Sequence, residues 1–162
     1  MSYTESDYEN ALIEFFENNL GYECVCGYDI DHNVKSPLYD TVLEESIFRI
    51  NKGKPYDAIQ NALLTLRNFE NGTLVQKNAV FTDYLQNGIS ARYTENGEER
   101  SALIYLIDWD NIENNSFICA NQWTFIENSN RRPDILLFIN GLPLVLIELK
   151  SPSRENTDAS EG

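Results

Sequence analysis

Residues 132 to 151 read "RPDILLFINGLPLVLIELKS". Two apolar runs, Ile135 to Ile139 and Leu142 to Ile147, flank Asn140-Gly141, the dipeptide that most often turns a two-residue hairpin. Charge falls at awkward places. Asp134 opens the first run, and Glu148 and Lys150 end the second. An unpaired charge is expensive to bury, so these groups need partners or solvent. The second run is apolar on both faces as far as Ile147, which predicts a central strand. Alternation puts Glu148 and Lys150 on one face, roughly 7 Å apart along the strand.

Register decides whether Asp134 can join them. With a regular two-residue turn, Ile139 pairs with Leu142 and Asp134 with Ile147, so Asp134 and Glu148 face opposite ways. Pairing Asp134 with Glu148 requires one extra residue between Ile139 and Leu144. Either a three-residue connection or a β-bulge would supply it, and Pro143, which cannot donate to the ladder, and Gly141 are the natural sites. Two carboxylates on neighbouring strands can hold a Mg²⁺ ion, which prefers hard oxygen ligands and relieves their repulsion. A lysine two residues on can position a water or stabilise charge on a phosphate. The alternative is that Asp134 starts a strand and Glu148 and Lys150 form a solvated strand end.

The rest of the chain predicts helices first and strands later. Residues 4 to 20, "TESDYENALIEFFENNL", place Tyr8, Leu12, Phe15, Phe16 and Leu20 at helical spacing, with Thr4 or Ser6 to cap and Gly21 to stop. "YECVCGYDI" reads as a short strand. Helices follow over Asp40 to Ile50, about Tyr56 to Phe69 (with Ile59, Leu63, Leu64 and Leu66 apolar) and about Val75 to Leu85. "ISARYTENGEERSALIYLIDW" alternates around Asn96-Gly97, a hairpin, and "NNSFICANQWTFIEN" is a further strand. Helices before antiparallel strands predict an α/β, α+β-like fold: a mixed central sheet flanked by helices.

Composition narrows the function. The chain has 162 residues, enough for one domain with a real core. No apolar run reaches membrane-spanning length, and the polar, acidic start is no signal peptide, so a cytoplasmic protein with no membrane partner is expected. Three cysteines, Cys24, Cys26 and Cys119, read as reduced, packed thiols. With one histidine, His32, a closed zinc site lacks ligands, and His32 itself reads as a solvated loop residue. The net charge of −14 argues against a free-standing nucleic-acid binder. If the chain acts on DNA, something else must hold the DNA.

"RRPDILLFINGLPLVLIELKSP" resembles the PD-(D/E)xK nuclease motif, in the form found at the N terminus of the R subunit of type I restriction-modification enzymes. "TESDYENALIEFFENNLGYE" is similar to that family's opening helix, "NGISARY" to a later turn and strand, and "LIDWDNIENNSFICANQWTF" to the segment before the motif. The resemblance implies a restriction-endonuclease-like fold over residues 1–151, with 152–162 a polar tail or linker toward C-terminal domains. It implies Asp134 and Glu148 as Mg²⁺ ligands (Mn²⁺ substituting) and Lys150 as the catalytic lysine. Glu9, on the first helix, is the candidate accessory carboxylate, with a surface role as its alternative. The partners implied are double-stranded DNA and the specificity and methylation subunits, with ATP used only by motor domains. No Gln-x-x-x-Tyr element follows Lys150 and no phosphate-binding G-x-x-x-x-G-K-[ST] loop occurs anywhere. The expected activity is Mg²⁺-dependent cleavage of unmodified foreign DNA after ATP-driven translocation. The alternative is a non-catalytic docking or regulatory module of the same fold. A stand-alone nuclease is disfavoured by the acidic charge.

Overall fold

The computed structural model describes residues 4–68, 72–127 and 129–150. The polar tail expected at 152–162 lies outside them. Helix α1, Glu5–Leu20, begins at a reciprocal cap: the Thr4 hydroxyl accepts from the Asp7 amide, and Asp7 accepts from the Thr4 amide at 2.7 Å. Those bonds, from the Thr4 backbone first and its hydroxyl second, hold the Asp7 carboxyl below its ordinary value. Gly21, at φ +70°, ends the helix in the left-handed region. Leu12, Ile13 and Phe16 pack on the sheet, whereas Phe15 and Leu20 stay about half-exposed.

Helices α2, Asp40–Ile50, α3, Tyr56–Arg67, and α4, Leu74–Asn87, follow strand β1, Glu23–Cys26, and a short 3-10 turn over Gly27–Asp29. α2 and α3 bury Leu43, Ile47, Ile59, Leu63 and Leu66, while Leu64 turns out half-exposed. They share a core with the hairpin of β2, Ile89–Glu95, and β3, Glu98–Ile104. Its turn, Asn96-Gly97, has positive φ at both residues (53° and 82°), the signature of a type I′ turn.

The central sheet runs β1-β4-β7-β8, with β4 Phe117–Asn121, β7 Ile135–Ile139 and β8 Leu142–Ile147. β1 lies parallel to β4, and the other two pairings are antiparallel, so the sheet is mixed. α1 covers one face through Cys24, Cys119, Ile135, Leu137 and Ile147. Trp123, Phe138, Leu136 and Ile118 fill the other with Tyr39 and Val42 of the α2 region.

Four expectations need correction. Among the described residues the strands form three sheets rather than one, since β2–β3 stand apart and β5, Phe125–Glu127, pairs with β6, Ser129–Arg131. The run "NNSFICANQWTFIEN" is therefore two strands, broken at Gln122, whose φ of +54° no strand can contain. β8 is not central: among the described residues it is the outer strand, and Val145 and Leu146 are 46% and 52% exposed. Its two-faced apolarity mimics a buried strand because both faces meet apolar neighbours along only part of their length. Finally, His32 is not a solvated loop residue. Its ring stacks on buried Trp123 at 4.0 Å, and its nitrogens lie 3.0 and 2.8 Å from the carbonyls of Ile30 and Thr124.

Candidate active site

The β7–β8 hairpin is pinned at its tip. Asn140 and Gly141 have φ of +51° and +77°, and Ile139 pairs directly with Leu142, so the turn is a regular two-residue type I′ connection. Asn140 is fully buried, and its side chain donates to the Leu106 carbonyl (2.9 Å) and Asn115 Oδ1 (2.7 Å) while accepting from the Ser116 amide (2.8 Å). The Gly141 carbonyl accepts from the Tyr39 amide at 2.9 Å. A Cβ on Gly141 would stand 2.5 Å from the Leu43 nitrogen, so only glycine lets the turn lie against the start of α2.

The extra residue that the site requires is a bulge rather than a longer turn. Phe138 pairs with Pro143, yet Leu137 pairs with Val145, leaving Leu144 unopposed. Pro143 has no N–H to offer the ladder, which makes this the cheapest place to interrupt it. Beyond the bulge the pairing is regular through Leu136–Leu146 and Ile135–Ile147. Continued one step past the strand ends, this register would set Asp134 opposite Glu148. The Leu149 amide donates to Asp134 Oδ2 at 2.5 Å, tying the half-buried carboxylate to the end of β8. Glu148 and Lys150 are exposed.

Glu9 reaches the same end of the sheet by another route. Its Oε1 accepts from Asn121 Nδ2 (3.0 Å) and Gln122 Nε2 (3.5 Å). Asn121 pairs with Ile135, the residue after Asp134. Strand alternation gives Asp134 and Glu148 the face of Leu136 and Leu146, however, while Glu9 arrives with α1 on the face of Ile135. Among the described residues no three His, Cys, Asp or Glu side chains gather closely enough to hold a metal ion. The register of β7 and β8 thus points Asp134 and Glu148 toward one face, while Glu9 accepts from Asn121 and Gln122.

A two-carboxylate set still suits Mg²⁺, because that ion usually keeps several waters and takes only one or two carboxylates from the protein. The bond from Leu149 occupies one lone pair of Asp134, and a carboxylate offers about four. Cys24 and Cys26 belong to no ligand group among the described residues, and Cys24 instead donates to the Ile13 carbonyl. Sequence reasoning passed over Tyr28 and Arg132. The Arg132 guanidinium donates to the Tyr28 hydroxyl, with Cζ 6.0 Å from the ring centroid. The doubled arginine before Pro133 was the available signal.

Comparison along the whole chain shows its family. Residues 2–161 match the family model described as type I restriction enzyme R protein N terminus. The putative type I restriction enzyme MjaIXP endonuclease subunit of Methanocaldococcus jannaschii is 33% identical over 159 residues, covering 92% of this chain and 15% of the relative. The type I restriction enzyme HindI endonuclease subunit of Haemophilus influenzae is 30% identical over 164 residues, covering 95% of this chain and 16% of the relative. The chain thus spans less than a fifth of the length of these relatives. No helix among the described residues is long and apolar enough to cross a membrane. A mixed-sheet α+β chain matched over nearly all its length belongs to the type I restriction enzyme R protein N-terminus family.

Proposed function

We propose that residues 1–151 form a Mg²⁺-dependent DNA endonuclease domain, with Asp134 and Glu148 as metal ligands and Lys150 as the catalytic lysine. The observation that supports this reading is the bulge at Leu144, beyond which Ile135 pairs with Ile147, a register that would set Asp134 opposite Glu148 if it continued one step further. When bound, the ion supplies Lewis-acid polarisation of the scissile phosphate. Asp134 and Glu148 hold and orient it, and the Leu149 amide fixes the Asp134 carboxylate in place. Lys150 donates its ammonium hydrogens to the negative charge that grows on the phosphoryl oxygens. Within a complete R protein, the domain cuts unmodified DNA after ATP-driven translocation by motor domains, alongside specificity and methylation subunits.

The test has two arms. In the full-length protein, Asp134→Ala, Glu148→Ala and Lys150→Ala should each abolish cleavage and leave ATP hydrolysis largely intact. In this chain, millimolar Mg²⁺ or Mn²⁺ should raise the melting temperature, since a ligand that binds only the native state stabilises it. Asp134→Asn should shrink that rise. Wild-type cleavage by any alanine variant removes that residue from the site, and a melting curve indifferent to metal favours the docking module.

A further inference from the structure

The chain carries 26 acidic and 12 basic residues, and its arginines differ in what they hold. Arg67 pairs with Asp40 and Glu44, Arg92 with Glu99, and Arg100 with Glu95 and Glu98. Arg49 is spent on the Asn114 carbonyl and the Ser46 and Ser116 hydroxyls. Arg131 and Arg132, both exposed, enter none of the ion pairs among the described residues. Arg132 is held instead by a neutral group, donating to the Tyr28 hydroxyl with its guanidinium at the ring.

That bracing is built into the backbone. Gly27 lets the 3-10 turn after β1 press on the segment that follows β4, where a Cβ would stand 2.7 Å from the Gln122 carbonyl oxygen and from Trp123 Cα. The turn thereby presents Tyr28 beyond the end of β1, where Cys26 pairs with Asn121 and Asn121 with Ile135. Fully buried Pro133 anchors the chain between Arg132 and Asp134. An exposed guanidinium with spare donors, two residues from a candidate metal ligand, matches the planar, bidentate geometry of a phosphodiester.

We propose that Arg132 is a phosphate-binding residue that holds the DNA backbone beside Asp134 and Glu148, with Tyr28 as its positioning residue. A contact of this kind fixes position without reading sequence. The proposal rests on the nuclease reading and adds a substrate subsite to it.

The test titrates the full chain against a short duplex over a range of low salt, with Ca²⁺ replacing Mg²⁺ so that the DNA survives. Arg132→Ala should weaken binding roughly ten-fold and reduce the slope of log affinity on log salt by about one. Tyr28→Ala should weaken binding less and leave the slope unchanged, because the charge remains. Arg92→Ala, which removes the same charge from the β2–β3 hairpin, should bind like wild type. The metal-induced melting shift, measured alongside, should persist in every variant. If the shift persists and Arg132→Ala matches wild type or Arg92→Ala, the subsite is overturned alone. A shift lost in Arg132→Ala makes that residue structural and also overturns it. A wild-type chain with no metal shift sinks the nuclease reading, and the subsite with it.

Discussion

Asn140 is a polar side chain with no exposed surface, and all of its bonds run to segments far off in the chain: Leu106, Asn115 and Ser116. Its turn role was legible beside Gly141, but its burial was not, because those partners are assembled only by the fold. Asn140→Ala strands two acceptors and one amide donor, and should lower stability by about 2–4 kcal/mol in urea unfolding. Gly141→Ala combines φ of +77° with a 2.5 Å clash on α2 and should cost more than that. Cys119, opposite Cys24 across the parallel pair, shows a third effect. Burial, reinforced by Cys24, pushes its thiol up to about 12 from 9.0. The folded state thus favours the neutral thiol, and its contribution is complete below pH 9 and fades as pH climbs toward 12. Tyr22, raised by the same burial, reinforces the trend. Cys119→Val should flatten the alkaline loss of stability in melts taken across that window.

Periodicity and caps located the elements well. α2 occupies the expected Asp40–Ile50, and Thr4 and Gly21 cap α1 as capping chemistry demands. What periodicity does not carry is a backbone exception such as Gln122, or the sheet position of a strand such as β8, which depends on neighbours supplied from elsewhere. The bulge is the intermediate case: its need followed from Asp134 and Glu148, while the two-residue turn beside it did not. Its position makes a counterintuitive prediction. Leu144 is the surplus residue, so deleting it yields a regular hairpin in which Asp134 still faces Glu148. The metal-induced melting shift should therefore survive the deletion, with stability lower by about 1–2 kcal/mol for the lost half-buried leucine. A shift lost in a variant that still melts cooperatively would place the surplus residue elsewhere.

At the scale of the molecule, the net charge of −14 sets how the chain meets DNA. Phosphates are repelled by most of the surface, and the exceptions near the site are few. The chain alone should bind a short duplex weakly at physiological salt, with little sequence preference, and anisotropy titrations in rising salt would show it. Tight, salt-resistant binding would contradict that expectation. The candidate site was legible where it is local: Asp134, Glu148 and Lys150 lie within seventeen residues of one another. Glu9 was less so, because its environment depends on how α1 lies over β4. The split of the strands into three sheets was hidden for the same reason, since neither register nor neighbours are written in any single segment.

The parallel pairing of β1 with β4 also governs how the chain finds its fold. Glu23 lies beside Ile118, so two adjacent strands of the central sheet are separated by nearly the whole helical half and the β2–β3 hairpin. Closing so long a loop costs roughly 4 kcal/mol of chain entropy before any sheet contact repays it. β1 has its sheet partner only in β4, which lies between β1 and the β7–β8 hairpin, so α1 and β1 should dock late. Helix α1, which precedes β4 in the chain, should therefore be among the last elements to find its place, and refolding followed by stopped-flow fluorescence should be slow for a chain of this size.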